Sequence, residues 1–220
     1  MANRVDQTTR LLLKAMVAGS AAALSACATR DPAQEPEEGF EYRAGPGPWP
    51  VQDKGKIEVA EFFWFGCPFC NAFEPVLKAW YARQPSDVVL RKVHPIPNPG
   101  WLPHAQLHAS LMTLGIATEL SDQIYASIHL QGYQLDGPKD AIELAVGLGV
   151  DRARFMTAFN SQQTKDTMAK AQEMAKFFKL DGVPALVVNG RWYTSPTMAG
   201  SRERAIQVLD YLIAKERRRR

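Results

Sequence analysis

Cys67 and Cys70 stand three positions apart in the stretch "EFFWFGCPFCNAFEP", Glu61 to Pro75. Sulfurs at this spacing lie one turn apart on a helix, so they can bond to each other and pass that bond on by thiol exchange. An aromatic, β-branched run precedes Cys67, and Pro68 fits the first turn of a helix, where its missing N–H costs nothing. Cys67 therefore caps a helix, whose unpaired N–H groups and partial positive charge favour a thiolate. Cys70, one turn further in, is the buried resolving partner. A low pKa makes Cys67 a good leaving group and stabilises the reduced form, so the disulfide is an oxidant.

Other uses of these side chains fit less well. Zinc needs a second cysteine pair or histidines at set spacing. The four histidines (His94, His104, His108 and His129) include one close pair, His104 and His108, with no acidic partner in "HAQLH". Neither a metal nor a cofactor is expected. A purely structural Cys67–Cys70 disulfide would close a very short loop and stabilise little.

The third cysteine, Cys27, ends "LSAC" after the apolar "MVAGSAAAL", Met16 to Leu24, with Arg4, Arg10 and Lys14 before it. This pattern reads as a signal peptide over residues 1–26 and resembles the lipobox of bacterial lipoproteins, in which Cys27 takes lipid. The alternatives are cleavage after "ACA" and an uncleaved anchor. The net charge of +3 falls to about +1 once 1–26 is removed. No basic stripe with interleaved aromatics appears, so no nucleic-acid partner is expected. "RRRR", Arg217 to Arg220, reads as a solvated tail.

Residues 27–50 are rich in Pro and Gly and read as a tether, reaching some 60–70 Å at about 3 Å per residue, whose last part, "FEYRAGPGPWP", has aromatics that could pack on the domain surface. A strand buried on both faces is predicted over Lys56 to Phe65, a helix from Cys67 to about Arg83 with a kink at Pro75, and a strand over Val88 to Pro97. From about 101 to 178 only helical stripes appear, among them Leu107, Leu111 and Leu114, and Met168, Ala171, Met174, Ala175 and Phe178. Asp151 is a candidate N-cap. "ALVV" and "RWYT" flank Asn189-Gly190, a hairpin signal, and an amphipathic helix closes the chain from about Ser201 to Lys215.

Together "EFFWFGCPFCNAFEP" and "GVPALVVNGRW" resemble the DsbA family of bacterial periplasmic thiol:disulfide oxidoreductases, over some 180 residues. The resemblance implies an α/β chain with a thioredoxin-like fold and an inserted all-helical domain: thioredoxin-like parts at 51–100 and 179–216, the insert at 101–178, and a basic tail at 217–220. It implies Cys67 as the exposed nucleophile, Cys70 as its buried partner, and Pro184 as a cis-proline that leaves the backbone of Val183 free to pair with an extended substrate. Glu61, Glu74 and Lys92 match the family's charged residues near the cysteines and, with Pro68, would tune the thiolate. The alternative reading of Glu61 and Lys92 is as strand-end surface charges.

The implied function is a disulfide oxidase for unfolded exported proteins, reoxidised by a DsbB-like, quinone-linked membrane partner, and monomeric. It would reside in the periplasm on an N-terminal lipid anchor, or free there if Cys27 is not lipidated. A reductase or isomerase on the same fold is the alternative, though Val183 before Pro184 favours the oxidase by resemblance; a non-catalytic chaperone is the other. One position departs: well-known members carry histidine where Phe69 stands. Phenylalanine supplies neither charge nor hydrogen bond to the thiolate, and instead offers an apolar contact to unfolded chains. Phe69→His is therefore expected to raise the reduction potential in a glutathione titration.

Overall fold

Ile57–Phe62 (β2) is buried at every position, as its β-branched and apolar content requires. It lies inside a five-stranded sheet with Tyr42–Ala44 (β1), Val88–Val93 (β3), Ala185–Val188 (β4) and Trp192–Thr194 (β5), in the order β1-β5-β4-β2-β3. The β2–β3 pair is parallel, and the β2–β4, β4–β5 and β1–β5 pairs are antiparallel. This computed structural model describes residues 34–220. The predicted signal segment and Cys27 lie outside the described residues.

Alternation along β2 assigns its two faces. Ile57 and Val59 join Phe73, Leu77 and Trp80 of helix α1 (Pro68–Tyr81) in one core. Val208, Leu209 and Leu212 of α8 (Arg202–Arg217) complete it, past a short helix α7 (Pro196–Ala199). Ala60 and Phe62 face the other way, toward Ala171, Met174 and Phe178. The same alternation sends Glu61 to the face that α1 covers.

Five helices separate β3 from β4: α2 (Leu102–Leu114), α3 (Ala117–His129), α4 (Pro138–Gly147), α5 (Arg152–Phe159) and α6 (Gln162–Phe177). Their starts follow local chemistry. The Asp151 carboxylate accepts from Arg154 N at 2.8 Å, and Ser161 Oγ accepts from Thr164 N at 3.1 Å. Leu107, Leu111, Ile124, Leu144, Phe155 and Phe159 form a core that also contains Cys67 and Cys70. The helical insert thus builds one wall of the cysteine site. Among the described residues no helix is long and apolar enough to cross a membrane.

The predicted hairpin forms, with Asn189 at φ 51° and Gly190 at φ 63°, and Arg191 N donates to the Val188 carbonyl at 3.0 Å. Gly190 is required twice: a Cβ there would stand 2.1 Å from the Trp49 carbonyl oxygen.

Three sequence expectations are corrected. The tether read across 27–50 is too long, because Tyr42–Ala44 pairs with β5 and Glu41 is buried against Arg204 at 2.6 Å. Composition hid this, since the prolines and glycines at 45–50 follow the strand and do not interrupt it. The strand read to Phe65 ends at Phe62, where the chain turns toward Cys67 while Phe63 and Phe65 stay buried. The strand read to Pro97 ends at Val93. Helix α1 runs on through Pro75.

Candidate active site

Cys67 is the N-cap of α1, in extended backbone at φ −84° and ψ 118°, with Pro68 in the first helical turn. Its Sγ accepts from the Cys70 N–H at 3.4 Å. The thiol also reaches the Val183 carbonyl at 3.5 Å, and the Val183–Pro184 peptide bond is cis. The two segments recognised from sequence, 116 positions apart, therefore meet at one sulfur.

The sulfurs differ sharply in environment. Hydrogen bonding from the Cys70 thiol, then from the backbone of Cys70 and Phe69, lowers the Cys67 pKa to about 6 against its partial burial, with a smaller contribution from His129. Burial pushes the Cys70 thiol far up, and the neighbouring Cys67 adds to this. At neutral pH the pair is a thiolate beside a thiol. The expectation that Cys67 is exposed needs correction: the residue is 6% accessible against 0% for Cys70, because the Val183 loop stands against its sulfur. Access differs in degree, and the pKa values separate the roles.

Phe69 projects outward, 73% exposed. It lines a cavity of about 710 Å³ with Pro68, Ala72, Val183, Pro184 and Pro196, which Thr197, Ser201, Arg202 and Glu203 also line. An apolar floor therefore runs from the helix start to the cis-proline.

Behind the cysteines, Glu61, Glu74 and Lys92 come together. Glu61 and Glu74 are buried at 0% and 4% accessibility, which excludes the surface-charge reading of Glu61. Strand pairing sets Glu61 beside Lys92 on β3, while Glu74 projects from the second turn of α1. Lys92 Nζ stands 3.2 Å from Glu61 Oε2 and binds Glu74 Oε2. Burial raises Glu61 to about 7, overcoming the attraction of Lys92, with help from the Glu74 charge. Burial disfavours the charged Lys92, but Glu61 and Glu74 outweigh it and raise its pKa.

Glu61→Gln is accordingly expected to stabilise the protein. In the unfolded chain Glu61 ionises near 4.5, and in the fold near 7. Between those values the unfolded state sheds its proton first, so the parent loses stability as pH rises. The gain from Glu61→Gln should thus grow from pH 5 to pH 8 in urea denaturation, to roughly 1–3 kcal/mol. A gain that shrinks with pH would refute this burial argument.

Several neighbours gave no signal in the sequence. Tyr125 of α3 is buried, and its ring lies 5.7 Å from Lys92 Nζ. Ser121 Oγ donates to Glu74 Oε1 at 3.3 Å. The His129 ring nitrogen Nε2 pairs with the Phe65 carbonyl at 2.7 Å, two residues before Cys67. His94, His104 and His108 pack against Phe63 and Trp64, and burial lowers the pKa of each.

Comparison with known proteins agrees with this geometry. Residues 103–208 match the model of the DSBA-like thioredoxin domain. The chain is 37% identical over 211 residues to the thiol:disulfide interchange protein DsbA of Azotobacter vinelandii, covering 94% of this chain and 98% of that one. The crystal structure of Pseudomonas aeruginosa DsbA matches with a TM-score of 0.78 at 35% identity, over 82% of this chain and 94% of that one. The crystal structure of the oxidoreductase DsbA from Xylella fastidiosa matches at 0.77 and 31% identity, over 83% and 98%.

Proposed function

We propose, from the premise that this chain belongs to the DsbA family and is a thiol:disulfide oxidoreductase, that it donates the Cys67–Cys70 disulfide to exported proteins. The observation that carries the direction of transfer is the split in pKa across the pair: Cys67 lowered to about 6, Cys70 raised.

A client thiolate attacks Cys67 Sγ, the S–S bond breaks, and Cys70 leaves as a thiolate and takes up a proton. Glu61, ionising near neutral pH and close enough for its charge to act on Cys70, is suited to relay that proton. A second client thiolate then attacks the client sulfur of the mixed disulfide and expels Cys67. The client has lost two electrons and the protein has gained them. The second step is favoured because the departing Cys67 thiolate is the stabilised one.

Binding follows from the surroundings. The Val183 backbone beside the cis-proline is placed to pair with an extended client, and Phe69 and Pro196 offer apolar surface to an unfolded one. Glu61, Glu74 and Lys92 tune the pair from beneath, and Pro68 holds the helix start. Return to the disulfide form falls to a DsbB-like membrane partner. The protein acts as a monomer in the periplasm, held to a membrane through lipid on Cys27.

The test is oxidative folding. The oxidised protein, mixed in equal amount with a reduced, unfolded client of two cysteines, should yield one client disulfide per protein reduced. A protein that instead reduces the disulfide-bonded client under the same conditions is a reductase, and this reading fails.

A further inference from the structure

A second cavity adjoins the apolar groove. It has a volume of about 430 Å³ and is lined by Arg43, Asp181, Tyr193 and Ser195, and it shares Val183, Pro184 and Thr197 with the groove that holds Phe69. It lies where β1, the strand that composition hid, reaches the cis-proline loop.

Arg43 sets its character. The guanidinium lies 4.0 Å from the centroid of the Tyr193 ring, and its Nη2 donates to the Phe178 carbonyl at 2.7 Å. Among the described residues no carboxylate comes within 4.0 Å of it. Arg91, Arg152, Arg204 and Arg217 each meet a carboxylate within 3.0 Å. The acid nearest in the cavity wall, Asp181, already accepts from the Tyr193 hydroxyl at 2.7 Å. Arg43 is thus a half-buried cation held in fixed orientation by a ring and a carbonyl, with donors left over and, among the described residues, no carboxylate in direct contact. Such a planar, preorganised fork matches a carboxylate.

We propose that this cavity is a second client subsite, in which Arg43 binds an acidic side chain of the polypeptide being oxidised. The inference rests on the reading that the client lies along the Val183 backbone. A strand there advances about 3.3 Å per residue, so side chains a few positions from the reacting cysteine reach the cavity. The two cavities meet at Val183–Pro184. A favoured client therefore carries apolar residues on one side of its cysteine and an Asp or Glu on the other.

The experiment uses a set of single-cysteine peptides, with one Glu stepped through four positions on either side of the cysteine and a Gln control for each. Stopped-flow fluorescence follows opening of the Cys67–Cys70 disulfide in the oxidised full chain, as each peptide thiolate forms a mixed disulfide with Cys67 and a second peptide in excess releases it. The Glu/Gln rate ratio should rise to about three- to tenfold at positions on one side only, and fall as salt is added. The ratio should drop to about one in Arg43→Gln and fall to an intermediate value in Arg43→Lys, which keeps the charge but not the fork. It is taken within each variant, so a general loss of stability does not mimic the effect. Ratios near one at every position in the parent, or an elevated ratio that survives Arg43→Gln, overturn the subsite and leave the oxidase reading intact. No reduction by any peptide, Gln controls included, overturns both.

Discussion

Cys67→Ser is expected to abolish disulfide donation to a reduced client, leaving only the uncatalysed background. A serine hydroxyl forms no disulfide, and Cys70 has no other described cysteine to pair with. Cys70→Ser should behave differently. It also loses net oxidation, because the internal disulfide cannot form, but it keeps the thiolate at Cys67. Exposed to oxidised glutathione, Cys70→Ser should accumulate a stable mixed disulfide on Cys67, visible as an added glutathione mass. Cys67→Ser should acquire none on Cys70 at comparable rate, since Cys70 is fully buried and its pKa is raised. Equal labelling of the two variants would contradict the assignment of attacking and resolving sulfurs.

The second large effect concerns pH. With a Cys67 pKa of about 6, some 90% of this thiol is ionised at pH 7, against about 3% for an unperturbed cysteine. Of the two described cysteines, iodoacetamide should therefore alkylate Cys67 and spare Cys70. The rate should climb about tenfold per unit below pH 6 and level off above it, and at pH 7 the thiolate fraction should exceed that of free cysteine by about 30-fold. The same shift links to stability. The folded pKa lies below the unfolded value of 9.0, so the reduced fold gains its full thiolate stabilisation above pH 9 and loses it as pH falls through about 6. The oxidised form, having no thiolate, should lack this dependence in urea denaturation. A titration midpoint near 8.5 would remove the basis for the roles given to the two sulfurs.

Much of the site was legible because its chemistry is local. Cys67, Pro68 and Cys70 lie within one helical turn, so spacing alone gives cap, first turn and partner. The Asn189-Gly190 turn is local in the same way, both residues adopting positive φ. Pro184 and Val183 came from family resemblance; nothing nearby in sequence says that Val183 faces Cys67. The buried group of Glu61, Glu74 and Lys92 also needed that resemblance, since three charges on two strands and a helix are indistinguishable from surface charges until the register β2–β3 is known. Tyr125, Ser121 and His129 were not legible at all. They come from α3, and only tertiary packing of the insert brings that helix to the cysteines. Strand β1 was hidden by its length: three residues carry too little pattern to be seen beside the Pro/Gly run that follows. Arg43, which the proposed subsite needs, was lost with it.

The most direct measurement is the reduction potential of the Cys67–Cys70 pair, by equilibration with glutathione. Lowering a thiol from pKa 9 to about 6 favours the reduced form by about 1.4 kcal/mol at pH 7, or about 30 mV for a two-electron couple. Thioredoxin, with a thiol pKa near 7, lies at about −270 mV, and DsbA itself, with a thiol pKa near 3.5, at about −120 mV. A pKa of about 6 and a phenylalanine at position 69 lead us to expect a potential between them, more oxidising than the first and milder than the second. A value between those limits is the result expected of a disulfide donor built on a stabilised Cys67 thiolate. A value at or below about −270 mV would contradict the claim, because the pair would then hold its disulfide at least as firmly as a reductase does.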